Sequence, residues 1–260
     1  MQLADECLRS GDVDGARAAI VDHIKANPGD PGGRMYMFQL LSLAGDWGKA
    51  MSHLNTLATL SPEAQMLSVV YHQAIEAEKI RAGIFDGKQR MPVIRGAWAE
   101  GLAEAIQHYA LGNREAGDVA RDAALDQAPD TPGELDGERF DWISDSDSRF
   151  GPTFEAILHG RYGLIAFSAV KSITIEGPRD LRDTVWYPVQ IAFREGQSVA
   201  AFLPARYPGS ETSENPLARL GRSTGWHAGA SGDEGDGQHL LTLSSGEERG
   251  LLSVRSLVFD

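Results

Sequence analysis

Apolar residues in the first half of the chain recur at intervals of three and four positions, the spacing that places side chains on one face of an α-helix. Two such stripes are formed by Ala16, Ile20, Val21 and Ile24 and by Met51, Leu54, Leu57, Ala58 and Leu60. A longer helix is predicted from about Glu63 to Phe85, before a break at residues 87–92. Further helices are expected near residues 94–111 and 114–128, so that about seven helices precede Pro129.

A repeat of 34 residues underlies this helical pattern. Its two copies are Gly11-Asp12 with Ala16 and Pro28, and Gly45-Asp46 with Ala50 and Pro62. A third set, Gly112-Asn113 with Ala116 and Pro129, keeps the distance of 17 residues from Gly to Pro but comes 67 residues after the second. Glycine can end one helix because it tolerates a left-handed backbone, and aspartate or asparagine can cap the start of the next. Proline stops the second helix, since it lacks an N–H group. The pattern resembles the tetratricopeptide repeat. The aromatic signature of that repeat is replaced here by Arg34, Met37, Phe38 and Leu41.

The pattern changes after Pro129. Residues Asp130 to Ser148 are rich in Asp, Gly, Pro and Ser, which predicts a linker or a long loop. Short β-branched and aromatic runs follow, and they predict strands at about 163–168, 171–176, 184–193, 198–203, 238–243 and 251–259. The glycine-rich stretch Gly229 to Gly237 is predicted to be a mobile loop. We therefore expect an α+β protein, with all-α tetratricopeptide-like hairpins in a domain of residues 1–129 and a β-rich domain of residues 130–260.

Composition narrows the range of functions. The chain has 260 residues, with 24 Lys and Arg against 37 Asp and Glu and a formal net charge of −13, which argues against nucleic acid or an anionic membrane as a partner. Cys7 is the single cysteine, so an intramolecular disulfide and a multi-thiolate metal site are excluded. The first residues lack the pattern of a secretory signal, and apolar runs are too short to span a membrane. We expect a cytoplasmic protein.

Standard catalytic and nucleotide-binding motifs are absent from the sequence, and we predict neither a cofactor nor a metal. Charged and aromatic residues are dense in three C-terminal segments. The candidate site residues are Trp142, Asp145, Asp147, Arg149, Glu155, Arg182, Asp183, Trp186, Arg206, Tyr207 and Trp226. The three arginines could meet the three aspartates in a buried polar network. Either these ion pairs fix the loops of a β domain, or they line a polar groove for a ligand or a peptide. The tryptophans are expected to be core or interface anchors, the seven histidines to be surface or satisfied core residues, and residues 233–236 to form a solvated acidic loop.

The C-terminal motifs resemble those of a known family. They are Trp142-x-x-Asp145-x-Asp147-x-Arg149-x-Gly151-Pro152, then Glu155, Gly160 and Tyr162, then Arg182-Asp183-x-x-Trp186-x-Pro188, then Pro204-x-Arg206-Tyr207-x-Gly209-Ser210, and then Thr224-x-Trp226. The string resembles the ImpE family, also called TagJ or SciE-type, the accessory proteins of bacterial type VI secretion. The resemblance implies a cytoplasmic, non-enzymatic adaptor that binds the small subunit of the contractile sheath, through a short helical N-terminal segment, and works alongside the ClpV-type AAA+ ATPase.

Two other interpretations stay open. The first is an enzyme or small-ligand module that uses the Asp/Arg cluster, and it predicts a concave pocket in which at least three of those residues converge. The second is a repeat scaffold that only forms homo-oligomers, and it predicts an apolar patch on an exposed terminal helix.

Overall fold

The first half of the chain is a series of helices. The computed structural model describes residues 1–60 and 62–260. Its first seven helices are α1 (Gln2–Arg9), α2 (Val13–Ala26), α3 (Pro31–Leu43), α4 (Trp47–Leu60), α5 (Pro62–Phe85), α6 (Glu100–Ala110) and α7 (Arg114–Leu125). The helical N-terminal half is thereby confirmed, and the pairs α1–α2, α3–α4 and α6–α7 pack against each other as tetratricopeptide-like hairpins.

The glycine and aspartate of the repeat act at the turns of these hairpins. Gly11 and Gly45 have φ angles of +86° and +68°, in the left-handed region that favours glycine. Asp12 caps α2, because its carboxylate accepts the Gly15 N–H at 2.7 Å. Pro62 is the first residue of α5, a position at which a helix does not need the missing N–H group.

The second half is built on strands. They are β1 (Val93–Arg95), β2 (Gly133–Leu135), β3 (Glu138–Phe140), β4 (Ile143–Asp145), β5 (Thr153–Leu158), β6 (Arg161–Ala166), β7 (Val170–Thr174), β8 (Trp186–Phe193), β9 (Ser198–Pro204), β10 (Thr224–Gly229), β11 (Gly232–Gly237), β12 (Leu240–Leu243), β13 (Glu248–Gly250) and β14 (Ser256–Phe259), with a short helix α8 (Pro216–Arg219). Nine strands form one sheet in the order β1-β6-β5-β9-β8-β7-β14-β2-β3, three form a second sheet, β13-β12-β4, and β10 and β11 form a hairpin. The α+β class is confirmed.

Several predicted boundaries are wrong. The helix expected near 94–111 begins only at Glu100, because residues 93–95 form β1, which pairs in parallel with β6. The stretch 130–148, predicted to be a linker, contains β2, β3 and β4. These strands are only three residues long, too short to show a strand pattern, and β2 and β4 are held by the distant strands β14 and β12, whereas β3 forms a hairpin with β2. Residues 232–237, predicted to belong to a mobile, solvated loop, form β11.

A shared core joins the helices to the sheet. One apolar cluster contains residues from α1 to α7 together with Ile157, Trp186 and Tyr207 of the strand-rich half. Trp186 is fully buried, and its ring lies 6.4 Å from that of Phe38 on α3. A second cluster lies within the strand-rich half and includes Tyr187 and Phe193. The division into domains at residue 129 stays a prediction. In residues 1–60 and 62–260, no helix is both long enough and apolar enough to cross a membrane.

Candidate functional site

A histidine sandwiched between two carboxylates lies at the centre of the junction between helices and strands. The ring of His239, just before β12, lies 2.7 Å from Asp145 through Nδ1 and 3.0 Å from Glu155 through Nε2. All three residues are at most 5% exposed. Burial alone would lower the pKa of His239, but the two carboxylates raise it to about 9. The imidazole is therefore protonated at neutral pH and donates from both nitrogens.

Glu155 connects this histidine to the helical half. Its two oxygens accept hydrogen bonds from Arg81 of α5, at 2.7 Å from Nε and 2.6 Å from Nη2. Tyr162 donates a further, short bond to the same carboxylate. Burial opposes the charge of Glu155, yet Arg81 and His239 hold its pKa well below its usual range. Arg81 also donates to the carbonyl oxygen of Arg206 at 2.8 Å, so one guanidinium binds two segments of the strand-rich half.

Asp145 lies at the end of β4 and is held by a tyrosine as well as by the histidine. The Tyr207 hydroxyl donates to Asp145 Oδ1 at 2.7 Å, and the Tyr207 ring lies 4.1 Å from that of His239. Burial raises the pKa of Asp145, although the positive charge of His239 opposes that shift.

Asp147 and Arg149 form a second set of buried ion pairs. Arg149 lies 2.6 Å from Asp147 and 2.8 Å from Glu234 of β11, and its guanidinium lies over the Phe85 ring at 5.6 Å. The Gly235 N–H donates to Asp147 at 2.8 Å. A side chain on Gly235 would collide with the Tyr207 ring, because a Cβ atom there would lie 2.3 Å from it. In β11, Gly235 therefore serves close packing and Glu234 ion pairing.

The side chains of Arg182, Asp183 and Arg206 bind groups outside this network. Asp183 accepts the N–H groups of Arg179 and Asp180 in a capping box. Arg182 pairs with Asp180 at 2.8 Å. Arg206 donates to the carbonyl oxygens of Leu43, at 3.1 Å, and Arg219. The predicted meeting of all three arginines with all three aspartates is thus wrong, apart from Arg149 with Asp147.

The three tryptophans among the predicted site residues differ in their burial. Trp186 is a buried core residue whose Nε1 donates to Glu78 of α5 at 3.1 Å. Trp142 and Trp226 are 42% and 43% exposed, so they are not core residues, and the alternative that they are interface anchors stays a prediction.

Sequence reasoning missed several members of the junction. They are Glu78, Arg81, Glu234 and His239, whereas Tyr162 was part of the C-terminal motifs. A signal was present for two of them. Glu78 and Arg81 follow Ala74 and Ile75 at helical spacing on the buried side of α5, where unpaired charges would be costly.

The charged side chains of this junction pair with one another inside the protein. The side chains of Asp145, Asp147, Arg149, Glu155 and His239 each bind other groups of the protein. A cavity of about 370 Å³ borders the network, and Arg149 is the one member of the predicted Asp/Arg cluster that lines it. Within the part of the chain that the structure describes, no group of three or more His, Cys, Asp or Glu side chains could hold a metal ion.

Comparison with known proteins identifies the family of this chain. A family model described as ImpE protein matches residues 137–258. The crystal structure of protein VPA1032 from Vibrio parahaemolyticus has the same fold, with a TM-score of 0.87 at 20% identity over 99% of this chain and 97% of that one. The chain is 36% identical, over 99% of its length and 91% of the relative's, to the type VI secretion system accessory component TagJ of Pseudomonas aeruginosa. The chain therefore belongs to the ImpE family of proteins related to TagJ.

Proposed function

We propose that this protein is a non-enzymatic accessory component of a bacterial type VI secretion system and acts in the cytoplasm. It binds the small subunit of the contractile sheath and works with the ClpV-type ATPase. The observation that carries the proposal is the similarity to TagJ over nearly the whole of both chains. Such similarity includes the helical hairpins as well as the strand-rich half.

The buried network supports an adaptor over an enzyme. A general base needs an accessible atom that can accept a proton from a substrate. His239 already donates from both nitrogens, and it is 4% exposed. The charged side chains that an active site would use form ion pairs that hold α5 against β5 and β11.

An apolar groove supports binding of a helical segment. It has a volume of about 610 Å³ and lies between α1, α3 and the loop before β8. Leu8, Met35, Tyr36 and Leu181 line it, and charges of both signs lie around it, among them Asp5 and Arg9. An amphipathic helix places apolar anchors at i, i+3, i+4 and i+7 in such a groove and leaves its polar face in water.

Co-purification tests the proposal. The small sheath subunit of the same secretion system is expected to co-purify with the full chain. A sheath subunit that lacks its N-terminal helical segment is expected not to co-purify. Failure to retain the intact subunit would overturn the sheath-binding proposal.

A substitution in the groove tests whether the sheath subunit binds there. Gln39 lines the groove and is half-buried, so Gln39→Arg places a long cation where an apolar helix would lie. We expect binding to weaken about tenfold, the scale of a desolvated charge at an interface. The matched control is Gln65→Arg, on the exposed face of α5, which is expected to bind normally. Equal binding by the two variants would place the sheath subunit elsewhere.

A further inference from the structure

One edge of the β10–β11 hairpin has no strand beside it. β11 is attached to the rest of the protein, because the Gly235 N–H donates to Asp147 at 2.8 Å and the Gly237 N–H donates to Ser210 at 2.8 Å. β10 pairs with β11, and the two strands form a sheet of their own. The side of β10 that faces away from β11 is therefore not covered by any strand that the structure describes.

The hydrogen bonds of β11 establish which backbone groups of β10 lie at this free edge. Gly235 and Gly237 stand opposite Trp226 and Thr224, and the N–H groups of both glycines point away from β10. These are therefore non-hydrogen-bonded pairs of the antiparallel ladder. Because the two kinds of pair alternate, Thr224, Trp226 and Ala228 all direct their N–H and C=O groups outward. Among the described residues, none bonds to these outward backbone groups from another part of the chain.

β10 also lacks the features by which proteins protect a free strand edge. Such edges usually carry charged side chains or a proline, which hinder pairing with a further strand. The other edge strands of the described sheets each contain a charged residue, such as Arg95 of β1, Arg139 of β3 and Arg249 of β13. The sequence of β10, Thr-Gly-Trp-His-Ala-Gly, has no Asp, Glu, Lys, Arg or Pro. Trp226 and Ala228 are exposed, so the edge is open to another strand.

We propose that β10 pairs in antiparallel fashion with β10 of a second copy of this chain, so that two hairpins form a four-stranded sheet across a twofold axis. The edge is self-complementary about Trp226, since Thr224 and Ala228 lie two residues to either side of it with the same backbone orientation. With Trp226 opposite its counterpart, Thr224 of each copy pairs with Ala228 of the other, and about six hydrogen bonds form. The two tryptophans then lie directly opposite each other on one face of the sheet, where aromatic side chains stabilise a strand pair.

The net charge of −13 does not oppose this contact at close range. The acids of the hairpin are Asp233, Glu234 and Asp236, and all three lie on β11. In the four-stranded sheet the two β11 strands are separated by two β10 strands, which places them about 14 Å apart at the usual strand spacing. Physiological salt screens exposed charges beyond about 8 Å. Two copies can therefore pair through β10 without bringing like charges together.

Sedimentation equilibrium of the full chain, over a series of protein concentrations, tests the contact. We expect a reversible equilibrium between monomer and dimer. Ala228→Pro removes an outward N–H group from each copy and leaves the bonds between β10 and β11 in place, so we expect it to raise the dissociation constant at least about tenfold. The matched control, Ala228→Ser, keeps the N–H group and is expected to form the dimer as the unchanged chain does. Thermal unfolding establishes that both variants are folded.

Hydrogen exchange locates the contact within the chain. The outward amide groups of β10 are hydrogen-bonded in the dimer, so exchange in residues 224–229 is expected to slow as the protein concentration rises. The edge strand β13 is the control, and its exchange is expected to be the same at every concentration.

Three results would overturn the proposal. The first is a chain that stays monomeric at every concentration, as it would if the edge of β10 bound an extended segment of a different protein instead. The second is an Ala228→Pro variant that forms the dimer as well as Ala228→Ser does. The third is exchange in residues 224–229 that does not change with concentration. None of these results bears on the binding of the sheath subunit, which is tested separately.

Discussion

Two arginine–carboxylate pairs in this protein have nearly the same geometry and opposite surroundings. Arg81 and Glu155 form two bonds of 2.7 and 2.6 Å, and Arg139 and Asp260 form two bonds of 2.8 Å each. The first pair is buried at the junction of α5 and β5, whereas the side chains of the second are 58% and 50% exposed. Water can replace the partner in the second pair and not in the first. Burial, more than bond length, therefore decides what each pair contributes.

The largest effect is expected for Arg81→Ala. The change leaves the carboxylates of Glu155 and Glu78 buried without their cation, and removing one partner of a buried pair costs about 3–5 kcal/mol. The free energy of unfolding, from urea titration of the full chain, measures the loss. A loss below about 1 kcal/mol would mean that the junction is as solvated as the surface pair.

A pH series tests the histidine of the same junction. The pKa of His239 is raised to about 9 in the folded protein, above its ordinary value near 6.5. Its contribution to stability is therefore complete below about pH 6.5 and is lost as the pH rises through 9. The shift corresponds to about 3 kcal/mol.

Urea unfolding of the protein and of His239→Gln, at several pH values from 6 to 10, measures this contribution. The difference in stability between the two proteins is expected to shrink as the pH rises. A constant difference over the whole range would show that the charge of His239 does not stabilise the fold.

Close packing around the network predicts a smaller effect. Gly235→Ala places a Cβ atom 2.3 Å from the Tyr207 ring, so that the ring or β11 must shift. Overpacking of this kind typically costs about 1–3 kcal/mol. Gly29→Ala is the matched control, because Gly29, like Gly235, does not have a positive φ, and a Cβ atom there would meet nothing within 4 Å. Equal losses of stability in Gly235→Ala and Gly29→Ala would contradict the packing argument.

The smallest effect is expected at the surface. Arg139→Ala removes the exposed pair with Asp260, and such pairs contribute at most about 1 kcal/mol. The free energy of unfolding at low and at high salt measures the effect. A loss as large as that of Arg81→Ala would remove the distinction between the two pairs.

Local signals made part of this structure predictable. The Gly-Asp pairs at residues 11–12 and 45–46 act on the backbone beside them, so they located the turns of two hairpins. Asp147 and Arg149 are two residues apart, so their ion pair could be predicted from the local sequence. The family itself was identified from the C-terminal motifs.

Long-range pairing made the rest inaccessible to sequence reasoning. β2 is held by β14 through pairs such as Leu135 with Leu257, and three residues are too few to show a strand pattern. His239 lies 94 and 84 residues from Asp145 and Glu155 in the sequence. A lone histidine gives no sign of partners at such distances, and its role appears only when the sheet brings the segments together.

A pair of double-mutant cycles tests the central claim most directly. The first cycle combines Arg81→Ala with Glu155→Gln, and the second combines Arg139→Ala with Asp260→Asn, with unfolding free energies measured for every variant. We predict a coupling energy of about 2 kcal/mol or more for the buried pair and less than about 0.5 kcal/mol for the exposed pair. Equal coupling energies in the two cycles would contradict the view that buried charge pairing holds the helical half against the sheet.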